Sequence, residues 1–148
     1  MFDFEYHNPT RIVFGKDRLD TLERLVPADA RVLVTYGGGS AVRSGLIGRV
    51  RAALGARFVR EFGGIEPNPQ YDTLMKAVDA VRADAFDFLL AVGGGSVIDG
   101  TKFVALAAHF DGDPATLPAR QVANGIVDAF VHTTEQYLGI GTFIPQIR

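Results

Sequence analysis

The sequence predicts an α/β protein with a Rossmann-like parallel sheet and helices on both of its faces. Apolar segments with strand character alternate with amphipathic helical segments between residues 31 and 108, which is typical of a parallel sheet. The segment Phe86–Val92 is apolar except for Asp87, as expected of a central strand covered on both faces. Two of the strands are followed by the same four residues, Gly-Gly-Gly-Ser, at positions 37–40 and 93–96.

The composition is that of a globular protein, with 47% hydrophobic and 22% charged residues. The net charge of −2 gives no electrostatic reason to expect binding to nucleic acid or to an anionic membrane. The absence of cysteine excludes disulfides, thiolate metal sites and cysteine nucleophiles. No apolar run reaches the roughly 18 residues of a membrane span, and the N-terminal residues lack a secretory pattern. We therefore expect a cytoplasmic protein with neither nucleic acid nor a membrane as its partner.

The first element is predicted to be a hairpin. Phe2, Phe4 and Tyr6 alternate with polar residues, and Arg11–Phe14 can form the second strand. Two strands alone are only marginally stable, so we expect this hairpin to pack on other structure, with a second subunit as one candidate. A short helix over Lys16–Val26 is predicted to follow.

The remaining strands and helices of the sheet follow in order. They are strand Val32–Thr35, a helix from Leu46 to Gly55, strand Arg57–Phe62, a loop over Gly63–Pro69, helix Tyr71–Arg82, and strand Phe86–Val92 with the helix after it. The apolar residues that mark the two helices and predict their inward faces are Leu46, Ile47, Val50 and Leu54 in the first, and Leu74, Ala77, Val78 and Val81 in the second. Both glycine turns and the loop with its two prolines come after a predicted strand. Because ligands of open parallel sheets bind at the carboxyl ends of the strands, these segments are the first candidates for a binding site.

The glycine turn at residues 93–96 has the features of a phosphate site. Ser96 is a candidate N-cap for the next helix, whose Val97, Thr101, Val104 and Ala108 fall near one face. The N-terminus of a helix favours bound anions through its unpaired N–H groups and its dipole. A tight strand-to-helix connection that binds nothing explains this turn equally well. Neither turn fits the dinucleotide-binding motif G-x-G-x-x-G, because Val42 and Ile98 occupy the place of the third glycine. The phosphate-binding P-loop motif is not matched either, because it requires Lys before Ser or Thr and this chain has Thr101-Lys102.

A second kind of chemistry is suggested by the predicted helix Arg120–Tyr137. Asp128 and His132 are four residues apart and share a helix face, so both could bind one metal ion. The spacing alone favours an ordinary ion pair or a solvated polar face. The other two histidines, His7 and His109, lie in different elements and are not obvious further ligands.

The chain resembles the iron-containing alcohol dehydrogenase family, and closely its NADP-dependent branch of broad-specificity alcohol/aldehyde dehydrogenases. The resemblance covers about residues 2–110 and 116–137. It is carried by Thr10–Gly15, Arg31–Ser40, Glu61–Pro69, Leu89–Lys102 and Leu117–Tyr137. By this resemblance, residues 1–113 form a nucleotide-binding α/β domain. Residues 114–148 are then a remnant of the all-helical metal-binding domain with an unassigned tail.

The resemblance also implies roles for individual residues. The cofactor pyrophosphate would be held by Gly93, Gly94, Gly95 and Ser96, with Asp99 near the nicotinamide and Asn68 as a further cofactor contact. NAD-preferring relatives often carry an acid where this chain has Tyr36. The amides of Gly37, Gly38 and Gly39 and the Ser40 hydroxyl could accept a 2′-phosphate, which favours NADP(H). Asp128 and His132 resemble the first two of four ligands to a divalent metal, iron or zinc, and no other catalytic residue is implied.

The implied reaction is reversible hydride transfer between NADPH and a small aldehyde or ketone, with the metal polarising the substrate oxygen. The resemblance further implies a homodimer. Family members carry a long stretch where this chain passes from residue 113 to residue 116, and they supply two more histidine ligands after Tyr137. This chain therefore resembles a shortened member with an incomplete metal site, and we expect impaired catalysis. The alternatives are a non-catalytic nucleotide-binding remnant or designed minimal domain, and a glycerol dehydrogenase or dehydroquinate synthase relative.

Overall fold

The computed structural model describes residues 10–112 of the 148-residue chain. These residues form a parallel sheet with helices on both faces. The elements in chain order are a 3-10 helix Arg18–Thr21, α1 Leu22–Leu25, β1 Arg31–Gly37, α2 Ser40–Arg43, α3 Leu46–Leu54, β2 Phe58–Ile65, α4 Tyr71–Asp84, β3 Phe88–Val92 and α5 Gly95–Ala108. The Rossmann-like fold class predicted from the sequence is confirmed.

The sheet has the strand order β2-β1-β3, and both neighbouring pairs are parallel. In register, Tyr36 of β1 pairs with Val92 of β3, and Gly37 pairs with Ile65 of β2. All five residues of β3 are buried, as the apolar run in its sequence predicts. The carboxyl ends of the three strands therefore meet at one edge of the sheet.

Two cores sandwich the sheet, because successive side chains of a strand point to opposite faces. On one face Leu33 and Leu89 pack with buried residues of α4 and α5. On the other face Val32, Val34 and Leu90 pack with buried residues of α1 and α3. The helix faces predicted from apolar spacing are the buried ones: Ile47, Val50 and Leu54 in α3, and Leu74, Ala77, Val78 and Val81 in α4.

Two arginines close helix ends by binding backbone carbonyl groups, which have no intrahelical partner in the last turn. Arg57 donates hydrogen bonds of 2.7–2.8 Å to the carbonyl oxygens of Glu23, Val26, Pro27 and Leu54. This single guanidinium therefore joins the end of α1 to the end of α3. Arg82 donates in the same way to Ala107, Ala108 and Phe110 at the end of α5.

The strands and helices before the proline loop depart from the sequence prediction in three places. Residues 11–14 form no strand within the described part of the chain, and their predicted partner around Phe2–Tyr6 lies outside it. The helix predicted over Lys16–Val26 is a 3-10 turn followed by the single turn α1, and it starts after Asp17, which has a left-handed backbone (φ 58°). Strand β2 continues to Ile65, where a loop beginning at Gly63 was predicted.

The extension of β2 depends on its pairing with β1. Between the pairs Thr35–Phe62 and Gly37–Ile65 the strand β2 contains one residue more than β1, which is a bulge. Gly64 adopts φ 94°, a conformation that glycine reaches without strain.

The predicted helix Arg120–Tyr137, the helical remnant 114–148 and its metal ligands lie outside the described residues. Within residues 10–112 no helix is both long enough and apolar enough to cross a bilayer.

Candidate functional site

The candidate site is the edge of the sheet where the three strands end, which we call the carboxyl edge. It consists of the first glycine turn (Gly37–Ser40), the proline loop (Glu66–Gln70) and the second glycine turn (Gly93–Ser96). These segments lie at the ends of β1, β2 and β3 respectively. The predicted gathering of the two turns and the loop is confirmed, because parallel pairing places all three strand ends on the same side.

The second turn connects β3 to α5 with almost no intervening chain. Gly94 is the N-cap, with an extended backbone (φ −88°, ψ −169°), and α5 begins at Gly95. The carbonyl of Gly94 accepts hydrogen bonds from the amides of Val97 (3.0 Å) and Ile98 (3.2 Å). A Cβ atom at Gly93 would lie 2.6 Å from Cγ2 of Val97, so a larger residue does not fit there. The absence of a side chain lets the 14-residue helix start directly on the strand end.

Ser96 does not cap the helix, which corrects the sequence prediction. It lies inside the first turn of α5, and no side chain caps that helix. Its hydroxyl instead donates a hydrogen bond to the carbonyl oxygen of Pro67. Since a hydroxyl has one proton, this contact uses its donor and leaves only its lone pairs for a ligand. Ser96 thus joins α5 to the proline loop.

The first turn has the same four residues but a different backbone. Gly39 is the N-cap and has φ 106°, and the helix that follows, α2, has only four residues. A Cβ atom at Gly37 would lie 3.2 Å from the carbonyl oxygen of Ile65, whereas one at Gly38 would meet nothing within 4 Å. The backbone at Gly38 is therefore open to a ligand, and Ser40 next to it is exposed.

Tyr36 and Arg43 belong to this site as well, although the spacing of the glycines did not point to them as contact residues. The Tyr36 ring lies over the backbone of Gly63, where a Cβ atom would be 2.4 Å from the ring. The Arg43 guanidinium lies beside Gly39, with Nη1 3.1 Å from the position of a Cβ atom. Arg43 could have been found as a basic residue three positions after Ser40, since residues one helical turn apart share a face.

The proline loop is held at both of its ends. The Thr73 hydroxyl donates a 2.7 Å hydrogen bond to Glu66, which also accepts a hydrogen bond from the Gln70 amide at 3.4 Å. The Thr73 hydroxyl is the main cause that lowers the pKa of Glu66, because it stabilises the carboxylate form. Asn68 is exposed between these anchors, and its backbone carbonyl accepts a hydrogen bond from the Gln70 side chain at 2.9 Å.

Asp99 lies one turn into α5 and is half-buried. It follows Gly95 by four residues and Ser96 by three, so all three are on the same side of the helix. The structure thus brings Asp99, Asn68 and both glycine turns to one edge. The two predicted metal ligands, Asp128 and His132, fall outside the described residues. Within residues 10–112 no group of three or more His, Cys, Asp or Glu side chains is arranged to hold a metal ion.

A cavity of about 380 Å³ lies elsewhere in the fold. Leu22, Leu25 and Phe88 are among the residues that line it, and none of its lining residues belongs to a glycine turn or to the proline loop. The carboxyl edge is the better candidate site, since it has exposed backbone amides, a helix N-terminus and an arginine side chain. These groups fit a phosphate-bearing ligand such as a dinucleotide.

The sequence matches the family model described as iron-containing alcohol dehydrogenase over residues 9–134. NADPH-dependent aldehyde reductase YqhD of Escherichia coli is 41% identical over 93% of this chain and 53% of its own length. NADP-dependent alcohol dehydrogenase 3 of Entamoeba histolytica is 32% identical over 94% of this chain and 54% of its own length. The probable NADH-dependent butanol dehydrogenase 1 of Bacillus subtilis is 47% identical over 76% of this chain and 30% of its own length.

The fold comparison agrees with the sequence comparison. A structure of YqhD free of substrate and cofactor superposes with a TM-score of 0.74 and 56% identity, over 76% of this chain and 30% of that chain. The chain spans about half the length of the first two relatives. Its alignment with YqhD extends over 204 positions, more than the 148 residues present, so the relative contains residues without a counterpart here.

Proposed function

Because the chain belongs to the iron-containing alcohol dehydrogenase family, we propose that it binds NADP(H) at the carboxyl edge and serves reversible hydride transfer to a small aldehyde. One observation carries the proposal. Three motifs that are far apart in sequence, the two glycine turns and the proline loop, meet at the ends of three parallel strands. A dinucleotide needs such a gathering, because its two halves contact different strand ends.

The proposed contacts are those that the family resemblance implies, and the geometry of the edge supports them. The pyrophosphate faces the first amides of α5, at Gly95 and Ser96, and the backbone of Gly93 and Gly94. The nicotinamide half extends toward Asp99 and Asn68. The Ser96 hydroxyl donates its proton to the carbonyl oxygen of Pro67, which holds the proline loop in place. Ser96 therefore contributes its backbone amide to the pyrophosphate site.

The relatives carry both NADPH and NADH in their names, so the choice of NADP(H) rests on residues of this chain. Tyr36 stands at the end of β1, where a carboxylate would repel a 2′-phosphate. The Arg43 guanidinium beside Gly39, the exposed Ser40 and the open backbone at Gly38 form a polar, positively charged surface. An arginine pairs with phosphate through charge-assisted hydrogen bonds. We assign these residues to the 2′-phosphate.

The proposed metal site rests on membership of the family and on the presence of an aspartate and a histidine four residues apart. A divalent metal, iron or zinc, would polarise the substrate oxygen as a Lewis acid when bound. Asp128 and His132 are the proposed ligands in this chain, and no other catalytic side chain is assigned. We further propose a division into a nucleotide domain, residues 1–113, and a helical remnant, residues 114–148.

We propose that the chain forms a homodimer and that its substrate is a small alcohol or aldehyde. Its location in the cytoplasm stays a prediction from the sequence. The exposed Ile12 and Phe14 (67% and 72%) support a subunit contact near the start of the chain. The chain is proposed to be a shortened family member in which catalysis is impaired. A nucleotide-binding domain without turnover is the second candidate, favoured by the same carboxyl edge and by the residues of YqhD that have no counterpart in this chain.

The test is a fluorescence titration of the 148-residue chain with NADPH and, separately, with NADH, in the presence and absence of Zn²⁺ or Fe²⁺. We expect saturable binding that is tighter for NADPH. Arg43→Leu should weaken NADPH binding by roughly 10- to 100-fold, the equivalent of a charge-assisted hydrogen bond, and leave NADH binding nearly unchanged. Arg24→Leu removes the same charge from the end of α1 and is the matched control.

Aldehyde-dependent oxidation of NADPH that requires the added metal would support the dehydrogenase. Tight NADPH binding without turnover and without dependence on the metal would favour the nucleotide-binding domain. A chain that binds neither cofactor contradicts both candidates.

A further inference from the structure

Two buried threonines connect the central strand to the helix of the second glycine turn. Thr35 of β1 and Thr101 of α5 are both fully buried, and they are the only buried polar side chains among residues 10–112. Their hydroxyl oxygens are 2.6 Å apart. Thr101 also donates a 2.6 Å hydrogen bond to the carbonyl oxygen of Val97, one turn earlier in the helix.

The number of protons determines the direction of these bonds. Each hydroxyl has one proton, and that of Thr101 is donated to Val97. Thr35 must therefore donate to Thr101. The result is a directed chain of two hydrogen bonds that runs from the strand to the backbone of the first turn of α5.

Val97, the acceptor at the end of this chain, lies between the two glycine turns. Its Cγ2 atom is 2.6 Å from the position of a Cβ at Gly93 and 3.4 Å from the corresponding position at Gly37. The Val97 amide bonds to the Gly94 carbonyl at 3.0 Å. A rotation or sliding of α5 would therefore displace the amides of Gly95 and Ser96 and would break the two threonine hydrogen bonds.

We propose that Thr35 and Thr101 are positioning residues that hold the first turn of α5 at the place where it binds the cofactor pyrophosphate. This inference rests on the proposed function. Apolar packing holds the helix against the sheet but resists small shifts along the surface only weakly, since it is non-directional. A buried hydroxyl pair is directional, because a shift leaves polar groups without partners in an apolar core.

The experiment separates positioning from stability with two opposite substitutions at one position. Thr35→Val keeps the shape of the side chain and removes the hydroxyl, while Thr101 still donates to Val97. Thr35→Ser keeps the hydroxyl and removes a buried methyl group. Thr21→Val is the control for the loss of a threonine hydroxyl elsewhere, because the Thr21 hydroxyl donates to the carbonyl oxygen of Arg18 at 2.7 Å, away from the carboxyl edge.

Each purified variant is examined in three ways: unfolding in urea, hydrogen exchange of the Val97 and Ile98 amides without ligand, and titration with NADPH. We expect Thr35→Val to exchange these two amides faster and to raise the Kd for NADPH by about 3- to 10-fold. Thr35→Ser should unfold at lower urea and yet keep the wild-type exchange and Kd. Thr21→Val should change neither amide exchange nor Kd.

A different pattern overturns the inference. If the Kd follows the unfolding midpoint across the variants, the threonines act only on stability. If Thr35→Val leaves the exchange of Val97 and Ile98 unchanged, the pair does not hold the turn, whatever the titration gives. A wild-type chain that does not bind NADPH overturns the proposed function, and the exchange measurement without ligand still decides whether the pair positions α5.

Discussion

The two Gly-Gly-Gly-Ser turns have identical sequences, but they differ in backbone, in neighbours and in the length of the helix that each one starts. The first turn bends through Gly39 at φ 106° into a helix of four residues. The second passes through Gly94 at φ −88° into a helix of 14 residues. Around the first turn the backbone is open at Gly38, whereas at the second Gly93 touches Val97 closely.

This difference shows that a glycine can be required for two unrelated reasons. At Gly39 the reason is conformation, because a left-handed backbone strains residues with a Cβ atom. At Gly93 the reason is space, because the start of α5 packs directly on the strand end. The same difference separates their proposed roles. In the proposed function, the second turn binds the pyrophosphate at the N-terminus of a long helix, while the first turn binds the 2′-phosphate through its open backbone and Arg43.

The largest expected effect is at Gly93. Gly93→Ala should lower the free energy of unfolding by about 1–3 kcal/mol, because its Cβ would overlap the stiff, buried Val97 side chain. Adding Val97→Ala should recover part of this loss, since it removes the overlapping methyl group. Urea unfolding measures both variants. Gly38→Ala is the control and should stay within about 0.5 kcal/mol of wild type; equal losses at Gly93 and Gly38 would contradict the close packing.

A smaller effect is expected at Gly39. Gly39→Ala should cost about 1–2 kcal/mol of unfolding free energy, because alanine is strained in the left-handed region. Unlike the overlap at Gly93, this strain is in the backbone. The additional substitution Arg43→Ala, which clears the neighbouring side chain, should therefore recover little of the loss. Full recovery in the double variant would mean that space, not conformation, demands this glycine.

The serines of the two turns, Ser96 and Ser40, should also differ in how much they contribute to stability. Ser96→Ala removes the hydrogen bond to Pro67 and should lower the unfolding free energy by about 0.5–1 kcal/mol. Ser40 is exposed, so Ser40→Ala should stay within about 0.5 kcal/mol of wild type. In titrations, Ser40→Ala should weaken the binding of NADPH more than that of NADH. An equal effect on both cofactors would remove Ser40 from the 2′-phosphate site.

The smallest effect concerns the proline loop, which Ser96 links to the second turn. The pKa of Glu66 is lowered in the folded chain, mainly by the Thr73 hydroxyl. As the pH falls, the Glu66 carboxylate is therefore protonated at a higher pH in the unfolded chain than in the folded chain. The stability contributed by this carboxylate is present above the ordinary pKa of about 4.5 and is lost as the pH falls through the lower folded value.

Urea unfolding between pH 6 and pH 3 tests this linkage. The fall in stability should be shallower in Glu66→Gln and in Thr73→Val than in wild type. Neither variant has the hydrogen bond from the Thr73 hydroxyl to the Glu66 carboxylate. Thr21→Val serves as the control and should follow the wild-type slope. Parallel curves for all four proteins would show that the contact between Glu66 and Thr73 does not contribute.

Much of the fold could be read from local patterns. The apolar run of β3 predicted a strand buried on both faces, and the apolar spacing in α3 and α4 predicted their inward residues. These patterns are local consequences of how strands and helices expose their side chains. The extension of β2 through Gly63 and Gly64 was missed, because pairing with β1 and the fit of the Tyr36 ring over Gly63 decide it.

By itself the sequence determined the alternation of strands and helices, the parallel sheet and the placement of both glycine turns and the proline loop after strands. The alternation and the turn positions depend on residues near one another in the chain, and the alternation predicts the parallel sheet. Only the tertiary structure decided that Ser96 holds Pro67 rather than capping its helix, that Arg43 lies beside Gly39, and that Thr35 bonds to Thr101. The physical reason is that these contacts join residues on different elements or depend on side-chain direction, which local spacing does not specify.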